Sequence, residues 1–275
     1  MKLSTFQKGL ILALVFIIFA VSLIFVNRIM RADSFNKEEA QHAVYGLWLS
    51  KDIRALDWNS FVSDTQRQLA WPFLHSWLLS IFFLVFGASD VAARLLSLAL
   101  FIATLLMMYE ISSRLSGQSG RKIGLLAVFL ALSSPMMVSY SAQNTLEALG
   151  AFIFLSSFYL YIIAEERKSL IYYVFLTVAA TTEIYTSYLY AYFIIPAFIV
   201  VALGKLGPVA YDVIQISRRG ERAALPFFWW AYRKLIFLTV LFVIVGTWFL
   251  SSSFSRKIML FTQSIFRYSG GELPS

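Results

Sequence analysis

The sequence predicts an all-α polytopic membrane protein, with about seven transmembrane helices and external juxtamembrane helices in its first outer loop. Three observations carry that expectation. Of 275 residues, 59% are hydrophobic and only 14% are charged. Mean hydropathy is +0.73. Several apolar runs approach the ~20 residues a helix needs to cross hydrocarbon. The net charge of +8 is read as basic loops facing anionic lipid at the cytoplasmic surface, and no nucleic-acid partner is expected. With no cysteine there is no disulfide, thiolate chemistry or cysteine metal site.

The first span is placed at 9–30. Lys2 and Lys8 precede its apolar run, and Asn27-Arg28-Ile29-Met30 offers no small-residue cleavage site, so this is an uncleaved helix and not a signal peptide. From Lys37 the stretch KEEAQHAVYGLWLSKDI has apolar residues at Ala40, Val44, Leu47 and Trp48, the spacing of an amphipathic helix that rests on the bilayer. Glu38, Glu39 and His42 lie near its start, with Glu38 and His42 one turn apart on one face.

Segment 71–87 (WPFLHSWLLSIFFLVFG) is apolar but short, and charge decides how it lies. If it spans, the loops holding Arg114, Arg121, Lys122, Arg218, Arg219, Arg222, Arg233 and Lys234 become external. If it lies in the outer interface, they face the cytoplasm with Lys2 and Lys8, as positive charge prefers. The second arrangement is expected, with Trp71 and Trp77 at headgroup level.

Further spans follow at 90–113, 123–141, 147–164, 169–183, 187–204 and 235–251. Ser89-Asp90 caps the second, and Gly117-Gln118-Ser119-Gly120 turns into the third. The whole chain, 1–275, reads as a single transmembrane domain. Within it, 31–89 is an external catalytic loop, 205–234 a cytoplasmic basic loop and 252–275 an external C-terminal segment. This topology gathers Glu38, Glu39, Glu147 and Glu183 at the outer face, whereas Glu165, Glu166 and Glu221 share inner loops with basic residues.

An ordered series of motifs runs from about residue 9 to about 205: the acidic pair opening EEAQHAVYGLWLSKDI, the Pro-bearing WPFLHSWLLSIFFLVFG, GASDVAARLLSL, the basic turn RLSGQSGRKIGLLA, and SSPMMVSYSAQNTLEALG with its external acid. In this order the chain resembles the C-type (GT-C) glycosyltransferases, in the branch of protein O-mannosyltransferases and the lipid A aminoarabinose transferase. Glu38 stands where that family more often has Asp. The basic residues often found before the second acid are absent at Ala142, Gln143 and Thr145, and no Lys precedes Pro72.

The resemblance implies a GT-C-like fold and transfer of a sugar, with inversion, from a polyprenyl-phosphate donor to an acceptor at the outer face. The implied setting is the bacterial inner membrane, with membrane lipid around it, and the acceptor (lipid, glycan or protein) stays open. Glu38 is the expected general base, Glu39 its orienting neighbour and Glu147 a supporting acid. Arg67, His75 and Arg94 are candidates for the donor phosphate. His42, Glu183 and Tyr185 are weaker candidates for a sugar cleft.

Each has a plain structural alternative. Glu38 and Glu39 also suit a helix dipole, Arg94 an interfacial anchor, and Glu183 a hydrogen-bonded cluster with Thr181, Thr182, Tyr185, Ser187 and Tyr188. The only histidines, His42 and His75, are both external; a divalent metal there is an open alternative that is not favoured, and no metal site or cofactor is assigned. Two other classes compete. A proton-coupled or lipid-linked-substrate transporter calls for a midplane polar pathway, for which Glu110 is the main buried charge. An inactive fragment is the other, because 275 residues is short for this family.

Overall fold

The computed structural model describes residues 5–30, 34–68, 72–167 and 169–187, together with 190, 196–197, 200, 204 and 211. The regular elements among them are helical: α1 (Thr5–Met30), α2 (Lys37–Ala55), α3 (Trp58–Gln66), α4 (Leu74–Phe86), α5 (Asp90–Leu115), α6 (Gly120–Leu132), α7 (Pro135–Tyr140), α8 (Leu146–Arg167) and α9 (Leu170–Ile184), with a 3-10 turn at Gly117–Ser119. The chain divides into two compact units, residues 1–159 and 160–275.

In the first unit, α5 is the central element. It packs on α1, α4 and α6, while α2 packs on α3 and α4. Phe25 and Ile29 of α1, Leu98, Phe101 and Leu105 of α5, and Val128 and Ala131 of α6 bury one apolar cluster. Leu79 and Phe83 of α4 bury a second against Ala92, Ala93 and Leu96. Small residues set the close approaches. A Cβ at Gly124 would meet the side chain of Ser113 and, at 2.8 Å, the main chain of Tyr109, so α6 lies directly on α5.

The expected caps are present. The Ser89 hydroxyl accepts from the Ala92 amide at 3.1 Å to start α5. Gly117, with φ +55°, makes the turn after it. Among the described residues two helices are long and apolar enough to cross a membrane, Asp90–Leu115 and Leu146–Arg167, and they cover the expected spans 90–113 and 147–164. The helical backbone of α1 covers 9–30. Leu12, Phe16 and Phe19 on it are all more than half exposed, as side chains meeting lipid would be.

Other expected spans differ. Residues 123–141 do not form one continuous helix: α6 ends at Leu132, and α7 begins at Pro135 after Ser134 adopts an extended conformation with ψ 112°. The physical reason is local. A residue before proline is driven out of the α region, and the Ser134 hydroxyl accepts from the Met137 amide to open a new helix. The 13-residue α4 is about 20 Å long, short of the ~30 Å hydrocarbon core. The 15-residue α9 at the expected span 169–183 is short by the same measure. Span 235–251, loop 205–234, segment 252–275 and nearly all of span 187–204 lie outside the described residues.

Amphipathic α2 faces inward with its polar side. Its buried residues are Glu39, His42, Gly46, Leu49 and Ser50, whereas Val44 and Trp48 are exposed. Gly46 lets α4 approach: a Cβ there would stand 2.8 Å from Leu79 side-chain carbons, an overpacking that costs about 1–3 kcal/mol where it cannot relax. Arg54 at the other end donates from Nη2 to the Phe83 carbonyl at 3.3 Å, which helps satisfy the C-terminus of α4. The second unit contains the end of α8 and α9, where Tyr173 donates to Glu165 Oε1 at 2.8 Å.

Candidate active site

The two carboxylates that open α2 occupy opposite environments. Glu39 is 3% exposed and its carboxylate accepts four hydrogen bonds. Oε1 accepts from Arg94 Nε at 2.9 Å and from the Asn144 main-chain N–H at 3.0 Å. Oε2 accepts from Arg94 Nη2 at 3.1 Å and from the Asn36 main-chain N–H at 3.2 Å. The Glu39 amide returns a bond to Asn36 Oδ1 at 2.9 Å, which completes a capping box. Burial alone would raise the Glu39 pKa, but hydrogen bonds from Arg94, Asn144 and Asn36, with the Arg94 charge, outweigh it and hold the group below its ordinary value.

Arg94 on α5 is 5% exposed, grips Glu39 in two places and lies over the Phe35 ring at 5.0 Å from its centroid. Such a bidentate pair is more than a point contact: it fixes the plane of the Glu39 carboxylate.

Glu38, one residue away, is exposed. Its pKa is raised, first by partial burial, then by the charge of Glu147 and then by that of Glu39. Glu147, in the first turn of α8 and more than a hundred residues further along the chain, is thus within electrostatic reach of Glu38. Its Oε2 is buried without a hydrogen-bond partner among the described residues. One carboxylate is therefore ionised and saturated, while its neighbour keeps free acceptor capacity and feels the charge of a second acid. A positioned base needs that second kind of environment, with a pKa moved towards the working pH.

The structure also joins His42 and His75. Their rings lie between α2 and α4 with centroids 5.2 Å apart, and the side chains are 1% and 0% exposed. Burial lowers the His42 pKa to about 4. Burial, and then the His42 charge, lowers that of His75 to about 3. Both are neutral at physiological pH. Beside His75, Ser76 donates to Gln68 Oε1 at 2.7 Å, and neither His75 nitrogen has a partner among the described residues. No group of three or more His, Cys, Asp or Glu side chains is placed to hold a metal ion among the described residues.

The three groups expected at the donor phosphate thus separate. His75 is enclosed and neutral, and Arg94 is bound to Glu39. Arg67 caps α3 with its side chain 65% exposed and pairs with Asp64 at 3.0 Å. Glu183 and Tyr185 belong to the second unit: Glu183 is 2% exposed at the end of α9, its carbonyl accepting from the amides of Thr186 and Ser187, and Tyr185 follows it.

Two residues of the site had no role in the sequence reading. Asn36 has a signal, since Asn followed three residues later by Glu is a capping box. Asn144 has none, because its partner is remote in sequence.

A family model described as dolichyl-phosphate-mannose-protein mannosyltransferase matches residues 70–210. The match takes in Arg94, Asn144 and Glu147, and α2 precedes it. More than half the chain is covered, and the chain belongs to this family: it is a membrane glycosyltransferase of the GT-C type. No curated protein and no solved structure matches it.

Proposed function

We propose that the protein transfers a sugar from a polyprenyl-phosphate carrier to an acceptor hydroxyl at the outer face of a bacterial inner membrane, with Glu38 as general base. The observation that carries this reading is the contrast at the start of α2: Glu39 is locked by Arg94 and Asn144, while adjacent Glu38 remains exposed beside Glu147. The acceptor hydroxyl gives its proton to the Glu38 carboxylate as its oxygen bonds to the anomeric carbon. The bond from that carbon to the phosphate oxygen breaks with its electron pair staying on the phosphate, and attack opposite the leaving group inverts the configuration. Glu147 binds a hydroxyl of the sugar or acceptor. Charge on the departing phosphate calls for a cation, and of the three expected groups Arg67 keeps an exposed guanidinium.

The test is transfer of label. Purified protein in liposomes receives dolichyl-phosphate mannose labelled in the sugar, with membrane extract as acceptor source. Label moving into a lipid, glycan or protein product, and staying with the donor when Glu38→Gln replaces the parent, is the expected result. Movement of intact donor across the bilayer with no new glycosidic bond would replace this reading with transport.

A further inference from the structure

We propose that Asn144 is a positioning residue for Glu38: by fastening Glu39 to the connection that leads into α8, it sets the distance between Glu38 and Glu147. The inference rests on the reading of Glu38 as base. Asn144 is wholly buried and holds Glu39 twice, with its main-chain N–H on carboxylate Oε1 at 3.0 Å and its Nδ2 on the main-chain carbonyl at 3.0 Å. One residue therefore restrains both the side chain and the backbone of the residue next to Glu38.

Its place in the chain supplies the second half of the argument. Asn144 lies in the short connection between α7 and α8, and Glu147 is in the first turn of α8. Glu38 is in the first turn of α2. Two helix starts carrying like charges repel, so a device must hold them together. The Arg94 ion pair anchors Glu39 to α5, and of the two fastenings only Asn144 reaches the chain that carries Glu147. Among the described residues the charges that act on Glu38 are those of Glu147 on α8 and Glu39 on α2, and Glu39 is in turn paired with Arg94 on α5.

If the Asn144 side chain lets go of the Glu39 main-chain carbonyl, one of its two holds on that residue is lost and the two acids drift apart. Glu38 then loses repulsion from Glu147 and its titration midpoint falls. A residue that merely braced the fold would leave that midpoint alone.

The experiment follows the Glu38 carboxyl directly, by NMR of full-length protein labelled with 13C at the glutamate carboxyls. The resonance missing in Glu38→Gln identifies it. Asn144→Ala removes the side-chain donor, and Asn144→Leu removes it at nearly the original volume, neither adding a charge near Glu38. The expected result in either variant is a Glu38 midpoint lower by about half a pH unit or more. In the transfer assay kcat falls about ten- to a hundredfold with the acid limb of its pH profile moved down, while donor KM stays within about twofold.

An unmoved midpoint in a variant purified at normal yield overturns the proposal. Failure of both variants to fold also overturns it, since Asn144 would then serve general stability. The two levels of the account separate. Loss of turnover in Glu38→Gln with an unmoved midpoint in the Asn144 variants rejects positioning alone. A moved midpoint with full turnover in Glu38→Gln rejects the base.

Discussion

The inner and outer faces of the first turn of α2 carry the same side chain with opposite consequences. On the inner face Glu39 meets a guanidinium and two main-chain amides, so its charge is fixed and fully coordinated. On the outer face Glu38 is exposed and lies under the charge of a second carboxylate, so its charge costs more to maintain and its oxygens stay available. One methylene-identical residue thus serves as a rivet and its neighbour as a reagent. Partners, and not residue type, decide the difference.

The sharpest way to break the comparison is to strip the inner face of its cation. Arg94→Met leaves a buried carboxylate without its partner, and breaking such a pair costs about 3–5 kcal/mol. The expected outcome is loss of folded protein, read as yield and unfolding midpoint in detergent. A variant with the parental midpoint would mean that Glu39 is not held as described.

The second turn of α2 extends the comparison, because there buried groups are kept neutral. His42 and His75 have folded pKa values of about 4 and about 3, below their ordinary value. The unfolded chain therefore binds more protons as pH falls below about 6.5, and stability is lost progressively from there towards the folded values. Each ring contributes a slope approaching about 1.4 kcal/mol per pH unit in that window. Unfolding followed between pH 7 and pH 5 shows this acid loss, and His75→Met removes roughly half of it. An unchanged slope in that variant would show that His75 is not buried neutral.

A smaller effect sharpens the outer face. Glu147→Gln removes a negative charge beside Glu38, so Glu38 ionises at lower pH and the acid limb of the rate profile moves down. Turnover weakens, and a measurable fraction persists. Complete loss in a folded Glu147→Gln protein, with Glu38→Gln still active, would exchange the two roles.

Much of this was legible locally. The start of α2 at Lys37, the Ser89 cap and the turn at Gly117 follow from spacing and residue chemistry, and the structure places them where the sequence does. The break at Pro135 was also visible in the sequence, yet the apolar run 123–141 hid it because hydropathy is blind to backbone geometry. The split between Glu38 and Glu39 was half legible. The Asn36 capping box marks Glu39 as structural, but its grip by Arg94 and Asn144 depends on contacts 55 and 105 residues away. The enclosure of His42 and His75 was not legible for the same reason: periodicity gives the face of a helix, not what that face packs on. Gly46 admits α4 against the polar side of α2, and both rings are enclosed.

The most direct test of the central claim compares Glu38→Gln with the parent in the same preparation, measuring the unfolding midpoint and the rate of sugar transfer together. Removing a positioned base lowers rate by about 10²–10⁴, whereas an exposed first-turn acid contributes only about 0.3–1 kcal/mol to its helix. The account predicts a nearly unchanged midpoint with turnover reduced at least a hundredfold. A Glu38→Gln protein that folds normally and transfers sugar at close to the parental rate would contradict it.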